Sequence, residues 1–265
     1  MSSNPTVSNI ALARRAPRRA VALPAEPEIG HCRTVCAGCS LHGLCLPCCG
    51  LSRSEKEIAE RLPYARAKLR RGESLFRAGD RFSALYAVRN GFFKSTALLE
   101  NGREQVTGFA MAGEILGLDG IAPERHACNA VALEDSEVCA ISFAGLLTLA
   151  QEIPSLQAHF YKMMSREISR EHGVMVQLGS MNAEERVVMF LLNLSQRLAA
   201  RGFSGAEFNL RMTREEIGSH LGLKLETVSR TFSRFQEQGL IAVQQKQIRI
   251  LDRAGLEGVM GRELD

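Results

Sequence analysis

Thr213-Arg214-Glu215-Glu216-Ile217-Gly218-Ser219-His220-Leu221-Gly222-Leu223-Lys224-Leu225-Glu226-Thr227-Val228-Ser229-Arg230-Thr231-Phe232-Ser233-Arg234-Phe235-Gln236-Glu237-Gln238-Gly239 reads as two short helices joined by a tight turn. Thr213 and Glu216 have the spacing of a capping box and open the first helix. Ile217 and Leu221 form its apolar side, and Gly222 permits the turn. The second helix is predicted over 225–238, with Gly239 as its stop signal. Val228, Phe232 and Phe235 fall on one side of it, so Glu226, Ser229, Arg230 and Ser233 fall on the other. Two short β-like runs follow, 240–243 and 247–251, joined by Gln244-Gln245-Lys246. Helix, turn, helix and hairpin in this order describe a winged helix-turn-helix.

The outward residues have the chemistry of a major-groove reader. Arg pairs bidentately with guanine O6 and N7, Glu accepts from cytosine N4, and Ser serves a base edge or a phosphate. A carboxylate facing DNA is otherwise repelled by phosphates, which favours base reading by Glu226. The alternative is that Glu226 and Arg230 form an i,i+4 surface ion pair, stabilising by about 0.2–0.5 kcal/mol.

Upstream, Asn182 and Glu185 form a second capping box, ahead of an apolar face at Val187, Phe190, Leu191, Leu194 and Leu198. Before it, Phe160, Met164, Ile168, Glu171, Met175 and Leu178 recur at steps of three and four. That is one face of a long helix over 153–180, close to the heptad seam of a dimer. Glu171 is a carboxylate in this apolar row. Two copies near a dimer axis would repel, or Glu171 lies solvated at the stripe's edge.

Between about 66 and 143 the pattern changes to short apolar runs at 73–76, 84–88, 92–98, 105–110, 130–133 and 137–141, punctuated by glycine. Asn90-Gly91 and Asn101-Gly102 are hairpin-turn signals. These features predict an antiparallel β-barrel or jelly roll. The fold class expected is α+β: an N-terminal β-roll (double-stranded β-helix or jelly-roll-like) over 51–152, the long helix over 153–180, and the winged helix-turn-helix over 181–265. Residues 1–30, with Arg14, Arg15, Arg18 and Arg19, read as a disordered tail. A capped helix is expected over 54–62.

Residues 31–50 hold six of the eight cysteines: Cys32, Cys36, Cys39, Cys45, Cys48 and Cys49. The segment is too short for a core, so a bound ligand is its natural organiser. No apolar run approaches the roughly 20 residues of a membrane span, and no signal peptide is legible. A cytoplasmic location is therefore expected. In a reducing compartment these cysteines read as metal ligands or redox groups before disulfides. Zinc and iron–sulfur remain open on spacing alone. The balance of 33 Lys+Arg against 29 Asp+Glu leaves a net +4, which neither demands nor excludes nucleic acid. With 45% hydrophobic and 23% charged residues the chain is neither collagenous, membrane-embedded nor wholly disordered. No P-loop, nucleophile elbow or Ser/His/Asp set points to an enzyme.

Taken together, the chain resembles the CRP/FNR superfamily of bacterial transcription regulators, and its FNR branch in particular. Glu226-Thr227-Val228-Ser229-Arg230, Leu75-Phe76-Arg77-Ala78-Gly79-Asp80, Gln105-Val106-Thr107-Gly108-Phe109 and Asn182-Ala183-Glu184-Glu185-Arg186 carry the likeness. The resemblance implies a homodimeric activator and repressor that senses oxygen with a [4Fe–4S] cluster and binds palindromes such as TTGAT-N4-ATCAA. It places the ligands on Cys36, Cys39 and Cys45, spaced C-x2-C-x5-C, and on the distant Cys139 within Val138-Cys139-Ala140-Ile141. Cys128 competes for the fourth role. Cys32, Cys48 and Cys49 are extra. RNA polymerase is the implied protein partner, although Arg103 stands in a loop where such activators can show an acid. A cyclic nucleotide is not expected. Gly117-Leu118-Asp119-Gly120 lacks the ribose-binding Glu of the CRP branch, and Pro123-Glu124-Arg125-His126-Ala127 retains a single Arg.

Overall fold

The computed structural model describes residues 64–261 together with Ser52, Glu55 and Ile58. The tail, the cysteine-rich segment and most of the expected 54–62 helix lie outside the described residues. These residues fall into two compact units, one ending at Leu149 and the other beginning at Ala150.

The first unit is a β-roll. Its strands are β1 (Tyr64–Leu69), β2 (Ser74–Phe76), β3 (Ala84–Asn90), β4 (Phe92–Leu98), β5 (Glu104–Met111), β6 (Ile115–Leu116), β7 (Asn129–Ala132) and β8 (Ser136–Ser142). Among the described residues they pair antiparallel into two four-stranded sheets, β1-β8-β3-β6 and β2-β7-β4-β5. Inward positions from both sheets, among them Leu75, Phe76, Tyr86, Val88, Phe93 and Val138, make one apolar cluster. The alternation of β8 follows from this: Val138 and Ala140 are buried in the cluster, so Cys139 belongs to the outer face. Helix α1 (Phe143–Glu152) follows β8, and the boundary between the two units falls within its last turn.

Asn101-Gly102 forms the expected hairpin between β4 and β5, with Gly102 at φ 77°. Asn90-Gly91 does not form one. β3 and β4 belong to different sheets, so the turn carries the chain from one sheet to the other. Gly91 is required there twice over. Its φ is 93°, and a Cβ would lie 2.0 Å from the Ser136 hydroxyl. Strand β1 escapes the hydrophobic-run reading because Arg66 and Lys68 occupy its outward positions and only Leu69 inside is a large apolar residue.

The second unit begins with α2 (Pro154–Ser180), the expected long helix, with Pro154 at its start. Next come α3 (Ala183–Ala199), strand β9 (Glu207–Asn209), α4 (Arg214–Leu221), α5 (Leu225–Glu237), strands β10 (Ile241–Gln244) and β11 (Gln247–Ile250), and α6 (Arg253–Val259). The sheet order is β10-β11-β9. Both capping boxes form: Asn182 with Glu185, and Thr213 with Glu216. Gly222 ends α4 in the left-handed conformation. β9 and α6 are additions to the sequence reading. Phe208 from β9, and Leu256 and Val259 from α6, complete the core.

Candidate nucleic-acid interface and metal centre

The helix expected to read DNA is α5. Val228, Thr231, Phe232 and Phe235 are buried, which turns Glu226, Ser229, Arg230 and Ser233 to solvent. The side chains of Glu226 and Arg230 make no hydrogen bond or ion pair to each other or to any other described residue. The i,i+4 ion pair is therefore absent, and both head groups face solvent. Ser233 donates back to the Ser229 carbonyl at 3.2 Å. Arg234 instead pairs with Glu184 of α3. Exposed Lys224 at the start of α5, Lys246 in the β10–β11 turn and Arg249 add positive charge that the sequence reading did not single out.

The two helices of this head are locked by packing that the sequence pattern did not reveal. The Arg214 guanidinium lies 3.4 Å above the centre of the Phe232 ring. Burial pulls its pKa down to about 10. A Cβ on Gly218 would meet the Leu223 carbonyl at 2.7 Å, so the turn passes directly over this glycine. Beneath the turn, Arg186 donates to the carbonyls of Met181 (2.9 Å), Leu221 (3.0 Å) and Leu178 (2.8 Å).

Along the expected dimer stripe the residues divide. Phe160 is buried within the single chain and Met164 is half-buried. Ile168, Met175 and Leu178 are exposed, at 54%, 61% and 37%. These exposed apolar residues continue the heptad row on the solvent side of α2. Glu171 is exposed beside them. Partial desolvation and the neighbouring Glu167 push its carboxyl above the ordinary range, with Arg170 opposing.

The two cysteines of the β-roll lie in different environments. Cys139 is half-buried in the middle of β8, an interior strand of its sheet, opposite Arg66 of β1 and Ala87 of β3. Leu85, Ala87 and Ile141, on the same face by alternation, are buried and apolar. Cys128 packs against the inner cluster, and its thiol donates to Asp119 Oδ2 at 3.3 Å. Among the described residues no three His, Cys, Asp or Glu side chains converge as a metal site. Cys36, Cys39 and Cys45 lie outside the described residues.

Where a nucleotide-binding relative would need a ribose carboxylate and a phosphate cation, the polar groups are engaged internally. Asp119 accepts from the backbone of Ala127 (2.8 Å) and Cys128 (3.2 Å) and faces His126 Nδ1 at 3.4 Å. Burial alone would raise its pKa. The hydrogen bonds from His126, Ala127 and Cys128 and the charge of His126 outweigh burial and hold the carboxyl below the ordinary range. The His126 ring is 3% exposed and stacked on Phe76 at 3.7 Å between centroids. Arg125 donates to the Gly79 carbonyl at 2.8 Å.

Comparison with known proteins agrees with this layout. Residues 185–259 match the Crp-like helix-turn-helix domain and residues 66–152 the cyclic nucleotide-binding domain. The chain is 45% identical over 241 residues to the transcriptional regulatory protein btr of Bordetella pertussis, covering 91% of this chain and 98% of that one. It is 41% identical over 234 residues to the fumarate and nitrate reduction regulatory protein of Escherichia coli, covering 88% and 93%. Among solved structures, FixK2 from Bradyrhizobium japonicum superimposes with a TM-score of 0.69 at 29% identity, over 76% of this chain and 99% of that one. These relatives carry the names of regulators, not of enzymes. No helix of the described residues is long and apolar enough to cross a membrane.

Proposed function

This chain belongs to the CRP/FNR family of transcription regulators, and on that premise we propose that it is an oxygen-responsive regulator whose DNA affinity depends on an iron–sulfur cluster. The observation that carries the sensing half is the placement of Cys139. A thiol in mid-strand, on the face away from the core, with buried apolar Ala87 and Ile141 beside it and Arg66 across from it, suits a soft thiophilic metal group. Cys128 suits it poorly, since its sulfur is tied to a carboxylate that would oppose a thiolate. The donor set Cys36, Cys39, Cys45 and Cys139 fits a [4Fe–4S] cluster, with the distant fourth ligand joining the N-terminal segment to the β-roll. Such a cluster, when bound, supplies a linkage that oxygen breaks.

Ile168, Met175 and Leu178 would bury their exposed surface against a second copy, and Glu171 would oppose that contact, so the dimer is poised rather than permanent. A two-fold dimer presents two α5 helices, matching half-sites about one helical turn apart. Glu226, Ser229 and Arg230 would read bases of a TTGAT-N4-ATCAA-like palindrome, while Lys224 and Lys246 would meet phosphates. The engaged state of Asp119 and Arg125 supports a sensor domain that does not respond to a cyclic nucleotide. The exposed β4–β5 hairpin tip with Arg103 is the surface proposed for RNA polymerase, in the cytoplasm where DNA is found.

The test is an absorbance spectrum of anaerobically purified protein with iron and sulfide assays, before and after air. The expected result is a brown protein with about four irons per chain that bleaches in air and loses dimer and palindrome binding together. A colourless zinc protein whose DNA binding ignores air would overturn the sensor and leave the reading head.

A further inference from the structure

Arg186 draws together parts of the second unit that are remote in sequence. It sits in the first turn of α3. Its three guanidinium nitrogens donate to Leu178 O in the last turn of α2, to Met181 O just beyond it, and to Leu221 O at the last residue of α4. Two helix C-termini, each with orphan carbonyls and the negative end of a dipole, thus converge on one cation. Its own backbone carbonyl accepts from the side-chain amide of Gln177, a buried residue of α2, at 2.8 Å. Gly222 closes the junction. A Cβ there would stand 3.4 Å from Arg186 Nη1 and 3.6 Å from Leu178 Cδ2. The same turn of α3 sends Glu184 to Arg234 of α5.

We infer that Arg186 is a positioning residue for DNA recognition: its planar fork sets the offset between the α2 stripe and the reading helix, and so the half-site spacing a dimer accepts. Lysine would keep the charge but has one donor centre instead of a fork, so it cannot hold three carbonyls in different directions at once. The inference rests on the regulator reading above.

The experiment compares parent, Arg186→Lys and Arg186→Gln as anaerobically prepared full-length protein. Affinity is measured for a single TTGAT half-site duplex, for the TTGAT-N4-ATCAA palindrome, and for a palindrome lengthened by one base pair. Sedimentation measures the dimer in parallel. The parent is expected to discriminate against the longer spacing by at least about 30-fold, because avidity requires both heads to engage together. The Lys variant should keep half-site affinity and dimerisation within about 2-fold but discriminate between spacings by less than about 3-fold. Retained spacing discrimination in both variants, or half-site and palindrome binding lost in parallel with unfolding, would overturn the inference alone. A parent with no preference for the palindrome over the half-site would overturn the regulator reading, and this inference with it.

Discussion

Asp119 with His126 and Glu226 with Arg230 are both acid–base pairs close in sequence, and the fold treats them in opposite ways. In the β-roll, Asp119 takes hydrogen bonds from two backbone amides and a thiol and faces a fully enclosed imidazole. On α5, Glu226 and Arg230 stand in solvent and engage nothing in the described residues. A charge largely withdrawn from water is costly unless it is satisfied inside the protein. An exposed pair carries no such obligation, and Glu226 and Arg230 leave even their mutual contact unmade. The contrast separates polar groups that hold structure from polar groups available to a partner. The same division runs through the cysteines, with Cys128 turned toward the core and Cys139 away from it.

The two cysteines should differ most in their response to substitution. Cys139→Ser should abolish iron binding and lower palindrome affinity by about 100-fold or more through loss of paired reading heads. Cys128→Ser should leave iron content intact. Iron and sulfide assays with an anaerobic band-shift titration check both, and the opposite pattern would exchange the two roles. On the reading helix, Arg230→Ala should cost about 1–3 kcal/mol of base discrimination, concentrated at one base pair of each half-site, with the unfolding temperature of the protein unchanged. Competition binding against single-base variants of the palindrome distinguishes this from a uniform, phosphate-type loss.

Asp119→Asn should behave in the opposite manner, reducing stability by about 1–3 kcal/mol while half-site affinity stays constant. Its pH dependence follows from the lowered carboxyl pKa. The stabilisation is fully present above the ordinary value of 3.8 and is lost as pH falls through the lower folded value. Parent and variant should therefore converge in acid in a chemical denaturation series. The smallest effect sharpens the picture of the dimer. Glu171→Ala should tighten dimerisation of the cluster-free protein by roughly 10-fold, worth about 1.4 kcal/mol, as read by sedimentation equilibrium. Lower pH should move the parent in the same direction, since its raised carboxyl is neutralised earlier than an ordinary one. No change in either case would place Glu171 outside the interface.

Much of this molecule is legible in one dimension because its signals are local. The capping boxes at Asn182 and Thr213, the glycine turn at Gly222 and the apolar spacing of Val228, Phe232 and Phe235 each depend on residues within a few positions of one another. They determine the helix-turn-helix and the outward direction of Glu226, Ser229 and Arg230. The apolar runs and their glycines likewise determine a β-rich first unit, and the density of cysteines over 31–50 marks a segment that calls for a bound ligand. What only the tertiary structure decided depends on residues far apart in sequence. Strand β1 is a strand because β8 pairs with it, Asn90-Gly91 changes sheets because β3 pairs with β8 while β4 pairs with β5 and β7, and Cys139 faces outward because Val138 and Ala140 join the inner apolar cluster. The three carbonyls gathered by Arg186, one of them Leu221 thirty-five residues away, belong to the same class. Helix caps and turns are written into neighbouring residues, whereas satisfaction of buried donors, acceptors and side-chain volume is settled only when distant segments meet.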